Sequence, residues 1–283
     1  MLWLPFAATA LFALSTVQRK LFLKESRVPM AVFLPALLVA MTLMNLVIAP
    51  FDWSIDVARA LSPVTILALV TVIVLNALWY ECIFRGAREQ TLSRYNLITL
   101  IEPMLVFALA AIAFPNERDP RVWLAGLVVV IALVLGHKHQ RGIVFDHAER
   151  LVLAAILCGA VIVILQRFLV DTYSPPALNA IYNFGTMSIL LHRYGFGWIH
   201  RSKPILLGIF VTAFLIFGNE ILYVYALHVV GATLTMFVAL LESVLVAIAA
   251  YIMLGERLSL QLLVAGMVML GTIAYTIAIV APQ

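Results

Sequence analysis

Ten apolar runs, each near the length needed to cross a bilayer, fill this 283-residue sequence. They span 2–22, 30–50, 63–84, 92–114, 120–137, 150–170, 176–192, 204–228, 231–254 and 260–281. A helix crossing the hydrocarbon core needs about 20 apolar residues. Lipid offers no partner to an unpaired backbone N–H or C=O, so only helices or a closed barrel can span it. The runs are continuously apolar and lack the two-residue alternation of barrel strands. The expectation is an all-α membrane protein of about ten transmembrane helices. Composition agrees: 11% of residues are charged, against about a quarter in soluble domains. No polar stretch is long enough to form a soluble domain of its own. The first run lacks the basic flank of a signal peptide and is expected to be retained as a helix. Ser62-Pro63, Asp119-Pro120 and Ser174-Pro175 each set a capping side chain before a proline, which suits a first helical turn. Asp146 and Glu149 have capping-box spacing.

A polar pattern inside these runs is written twice. Leu100-Ile101-Glu102, Glu117-Arg118 and Ala125-Gly126 return as Leu240-Leu241-Glu242, Glu256-Arg257 and Ala265-Gly266, at offsets of 140, 139 and 140 residues. Gln18-Arg19 near the end of the first run returns as Gln166-Arg167 near the end of the sixth. Asn76 and Tyr80 match Asn219 and Tyr223 at an offset of 143. The expected organisation is an internal duplication: a first five-helix repeat over 1–137, a polar linker over 138–149, and a second five-helix repeat over 150–283. Five is odd, so the second repeat enters the membrane the other way round, giving two inverted repeats. The loops after helices 1, 3, 5, 7 and 9 carry 14 Lys and Arg, and the opposite side carries 4. The positive-inside rule then places both termini outside the cytoplasm.

On these residues the chain resembles the EamA-type, ten-helix members of the drug/metabolite transporter superfamily. Leu254-Gly255-Glu256-Arg257-Leu258-Ser259 is similar to the Gly-Glu-Arg-Leu-Ser turn that precedes the fifth helix of each repeat in that family. Phe114–Asp119 keeps only the Glu-Arg pair of that turn. Glu102-Pro103 fits the family's fourth-helix motif, whereas Glu242-Ser243 lacks the proline. The resemblance covers essentially the whole chain. It implies two five-helix repeats, secondary transport, and export rather than import. It also implies cytoplasmic termini, opposite to the charge count.

The candidate residues are the polar groups in apolar runs. Glu102 and Glu242 stand near the centres of the fourth and ninth runs, where an acidic side chain costs about 2.5–3.5 kcal/mol on insertion scales. They read as proton-coupling or substrate-contacting groups, or as hydrogen-bonded struts between helices. Glu220 adjoins Asn219 and shares a helix sector with Tyr223. Its counterpart in the first half is Ala77, so duplication does not explain it and a substrate role is favoured over an interhelical hydrogen bond. Asn76 and Tyr80, with Asn219 and Tyr223, are expected to hydrogen-bond a solute from equivalent positions.

Other polar residues read as structural. Glu81 is expected to pair with Arg85 at the membrane interface, and Trp79 to anchor there. Asn179, Tyr182 and Asn183 suit interhelical hydrogen bonds. Arg19, Lys20 and Arg167 suit snorkelling to headgroups. The two Glu-Arg pairs read as turn formers, Cys82 and Cys158 as packed thiols, and His137, His139 and His147 as solvated rather than metal-binding. No nucleophile elbow, phosphate loop or paired His-acid arrangement supports an enzyme. No cofactor is expected, and the net charge of +4 carries no nucleic-acid module. The expected function is secondary active transport, in the export direction, of a small polar metabolite or amino acid across a bacterial inner membrane by alternating access. A nucleotide-sugar or lipid-linked sugar carrier, and a non-transporting scaffold or sensor, are the alternatives. The expected partners are a small solute, protons as coupling ions, and the lipid bilayer, for a monomer or homodimer.

Overall fold

The computed structural model describes residues 3–26, 28–89, 95, 98–136, 146–254 and 260–280. The helices are α1 (Trp3–Ser26), α2 (Met30–Ile48), α3 (Pro63–Glu89), α4 (Ile101–Ala113), α5 (Pro120–Gly136), α6 (His147–Leu169), α7 (Pro175–Tyr194), α8 (Lys203–Ala239), α9 (Glu242–Leu254) and α10 (Leu260–Val280). A single turn at Val57–Ala60 precedes α3. Among the described residues there is no strand, and one isolated bridge joins Ile55 to Tyr173. The Glu256-Arg257 turn, His137, His139 and linker residues 138–145 lie outside the described residues.

Side-chain caps explain three helix starts. Ser62 Oγ accepts from the Thr65 N–H (3.2 Å) at the head of α3. Asp119 accepts from the Arg121 N–H (2.8 Å) at the head of α5. Asp146 and Glu149 form the reciprocal capping box of α6. Ser174 is the exception: its hydroxyl makes no cap. It donates to the Asp52 carbonyl (2.9 Å) and accepts from the Ser54 N–H (3.0 Å). The residue therefore ties the α6–α7 turn to the loop between α2 and α3.

The eighth and ninth runs are interrupted differently from the sequence expectation. Helix α8 continues through a bend at Gly231 (φ 84°, ψ 172°), a region open essentially to glycine alone. A side chain there would also press on Glu117, with a Cβ 2.7 Å from its Oε1. The chain then turns at Leu240-Leu241 before α9 begins at Glu242. A turn at Leu100 likewise precedes α4. Glu102 and Glu242 thus occupy the first turns of short helices, not the centres of continuous ones. The apolar pattern hides these breaks because the flanking leucines pack equally well in a turn or a helix.

Packing repeats with a five-helix offset. α3 lies along α6 as α8 lies along α1; α4 meets α6 as α9 meets α1; α2 pairs with α7 and α5 with α10. Gly126 gives α5 room against Phe107 of α4, and Gly266 gives α10 room against Val244 of α9. One core joins Phe33, Leu37, Phe84 and Tyr80; another joins Val106, Phe107, Phe237 and Met269. Large apolar side chains such as Leu67, Val70 and Leu78 stay exposed on α3, a face suited to lipid. Met30–Phe51, α3, α6 and α8 are each long and apolar enough to cross a membrane, and shorter apolar helices lie within α4, α5, α9 and α10.

Candidate functional site

A cavity of about 150 Å³ lies among α1, α3, α4, α6, α7, α8 and α9. Its polar lining includes Asn76, Glu102, Gln166, Asn219, Glu220, Tyr223 and Glu242, and its walls include Phe12, Trp79 and Met236. Six of the seven candidate residues therefore meet at one place, though they are spread over 167 positions of sequence. Tyr80 is placed differently: it does not line the cavity but stands behind Glu220.

Glu220 sits in a cradle of neutral donors. Tyr80 donates to Oε1 at 2.5 Å, while Tyr182 and Asn183 donate to Oε2 at 3.2 and 2.8 Å. Tyr182 also lies in hydrogen-bond contact with Asn179 Oδ1. A phenol has one hydrogen to give, and Asn179 Nδ2 is buried without a partner. Turning the Asn179 amide over resolves both problems: Nδ2 then donates to the Tyr182 oxygen, and Tyr182 donates to Glu220. Tyr182 and Asn183 of α7 thus make the interhelical hydrogen bonds expected of them, to a carboxyl group of α8, and Asn179 holds Tyr182.

Glu102 and Glu242 face the same cavity from the starts of α4 and α9. A smaller space of about 40 Å³ between them is bordered by Thr99 and Ser243. Glu242 lies within electrostatic reach of Glu102 and Arg19, and its Oε1 is buried without a hydrogen-bond partner. Gly159 of α6 makes room for Glu102: a Cβ there would collide with Oε1 and come 3.1 Å from Trp79 Nε1. The paired Asn and Tyr residues diverge in role. Asn76 donates to Thr186 (3.2 Å), whereas Tyr223 points its hydroxyl at Met236 Sδ (3.0 Å).

Residues 148–278 match the EamA-like transporter family. The match is consistent with the drug/metabolite transporter superfamily and points to an integral, multi-pass membrane transporter. No curated protein matches the sequence. A solved structure titled "Crystal structure of protein" aligns over 99% of this chain and 98% of its own, with a TM-score of 0.71 and 13% identity. At that identity the likeness concerns fold alone, and it extends to the half of the chain outside the EamA-like match.

Around this cavity, several residues depart from their sequence readings. Arg19 does not snorkel: it is 2% exposed, with its guanidinium 4.5 Å from the Phe84 ring centre and donating to the Tyr95 hydroxyl at 3.3 Å. Arg167 pairs with Glu117 (3.3 Å) and Asp171 (3.2 Å). Glu117 also accepts from the Thr233 N–H at 2.8 Å, so it braces the Gly231 bend as well as its own turn. Glu81 pairs with Arg193 (3.0 Å), not Arg85, and accepts from Tyr194 (2.7 Å). Lys20 is half-buried and His147 is exposed at the head of α6. Cys82 and Cys158 are free thiols. Sequence reading missed Gly159 and Gln166 as cavity residues. The signal for Gln166 was its recurrence with Gln18; for Gly159 there was none, because its space is defined by Glu102 on another helix.

Proposed function

We propose that the chain is a secondary active transporter, exporting a small polar metabolite or amino acid across a bacterial inner membrane by alternating access. The observation that carries this reading is a cavity lined from both halves, with Asn76, Trp79 and Glu102 facing Asn219, Glu220, Tyr223 and Glu242. The five-helix offset in packing supports two inverted five-helix repeats, 1–137 and 150–283, joined through 138–149. The broken fourth and ninth runs resemble the discontinuous helices that build midplane sites in other transporters.

Both ends of the bundle carry ties between the halves. Glu117–Arg167 and the Ser54–Ser174 contacts close one end. Glu81 with Arg193 lies about 27 Å along α3 from Pro63, at 1.5 Å per residue. Alternate release of these ties would open the cavity to either side. Glu102, Glu220 and Glu242 are the protonatable groups for coupling.

Counterflow into proteoliposomes, with a metabolite panel at two pH values, tests the proposal. Saturable exchange that Glu102→Gln and Glu220→Gln reduce at least tenfold is expected. Flux equal to that of empty liposomes across the panel would overturn it.

A further inference from the structure

Glu220 is held like an ion but lacks a countercharge. Its three donors, Tyr80, Tyr182 and Asn183, are all uncharged, and three converging donors suit an acceptor-only carboxylate. Among the described residues no Lys, Arg or His is paired with it. A buried ion is ordinarily paired, and the open side of this carboxylate faces the cavity. A second, separate observation points the same way. Glu242, on another helix, also lines the cavity, and its Oε1 is buried without a hydrogen-bond partner. The buried cation within reach of Glu242 is Arg19. Arg19 is engaged with Phe84 and Tyr95 and contributes nothing to the cavity wall.

The walls suit the rest of such a ligand. Phe12, Trp79 and Tyr223 are aromatic, and aromatic faces attract ammonium groups as well as apolar bodies. A cavity of about 150 Å³ is the size that accommodates benzene, so the occupant has roughly six heavy atoms.

We infer that this cavity takes a small organic cation, with its ammonium on Glu220 and its apolar body against Trp79 and Tyr223. The inference deepens the transport reading of the same cavity and rests on it for the occupant's being a transported solute. The cation supplies the positive charge that the fold withholds from Glu220. Neutral and anionic solutes of equal size leave that carboxylate unpaired or add a like charge beside it.

The test uses the purified full-length protein in lipid nanodiscs, titrated with n-pentylamine, 1-pentanol or pentanoate while tryptophan fluorescence is followed. Trp79→Phe serves as the blank for the cavity signal. The amine is expected to give a saturable, Trp79-dependent change, with 1-pentanol at least tenfold weaker and pentanoate silent. Glu220→Gln is expected to weaken the amine at least tenfold and to bring the amine and 1-pentanol responses close together. Equal responses to amine and alcohol, no response to the amine, or an unaltered amine affinity in Glu220→Gln would overturn the inference. Should Glu220→Gln fail to fold, the three-probe comparison on the unmodified protein decides alone. Amine binding by a protein that exchanges no solute in proteoliposomes would uphold the cation site and sink the transport reading. Exchange of neutral or anionic solutes with no preference for amines would do the reverse.

Discussion

Tyr80 of α3 donates its phenolic hydrogen to Glu220 of α8 across 2.5 Å, 140 positions away in the chain. Tyr80 is one of a duplicated pair; Glu220 is not, since its counterpart is Ala77. The repeated tyrosine of the first half thus serves the unrepeated acid of the second. The duplicate, Tyr223, is left to the cavity wall. Tyr80→Phe keeps the ring against Phe84 and removes one donor from the carboxylate. A hydrogen bond to a charged group contributes about 1.5–3 kcal/mol, so a lower Tm in detergent is expected. An unchanged Tm would mean that Tyr182 and Asn183 hold Glu220 without it.

Gly159 leaves space for the Glu102 carboxyl and Trp79. Because Glu102 ends in a flexible side chain, Gly159→Ala is expected to move it at little cost in stability. Solute affinity should fall several-fold while Tm stays nearly constant. Gly159→Leu, which fills the space, should abolish counterflow with the protein still folded by size-exclusion chromatography.

Gly231 combines a positive φ with close approach to Glu117. Gly231→Ala meets both obstacles. Backbone strain of this kind costs about 1–3 kcal/mol, and displacing Glu117 also disturbs its bonds to Thr233 and Arg167. Thermal denaturation should show a loss of at least that size. A neutral result would mean that the bend relaxes without its glycine.

Arg19 is buried between Phe84 and Tyr95. Arg19→Lys keeps the charge but loses the planar stacking, which contributes about 0.5–2 kcal/mol. Arg19→Gln also removes the cation within reach of Glu242, and the glutamine variant should be the less stable of the two. Matching Tm values for both variants would show that the charge itself contributes nothing there.

Much of the architecture was legible along the chain. Run length and the absence of two-residue alternation implied helices suited to lipid, because backbone satisfaction in a bilayer is a local requirement that each segment meets alone. Polar residues in apolar runs marked Glu102, Glu220 and Glu242 as unusual. Their company was not legible. Arg19 reads as a snorkelling residue because its position near a helix end is all that sequence shows; its burial against Phe84 and Tyr95 depends on α1 meeting helices far along the chain. The turns at Leu100 and Leu240-Leu241 were hidden because leucine is apolar in a helix or out of one. The sequence by itself determined the helices and the short list of costly polar groups, since both follow from local hydropathy. Only the tertiary structure decided that Tyr80, Tyr182 and Asn183 surround Glu220 with uncharged donors, because that depends on which helix faces pack together.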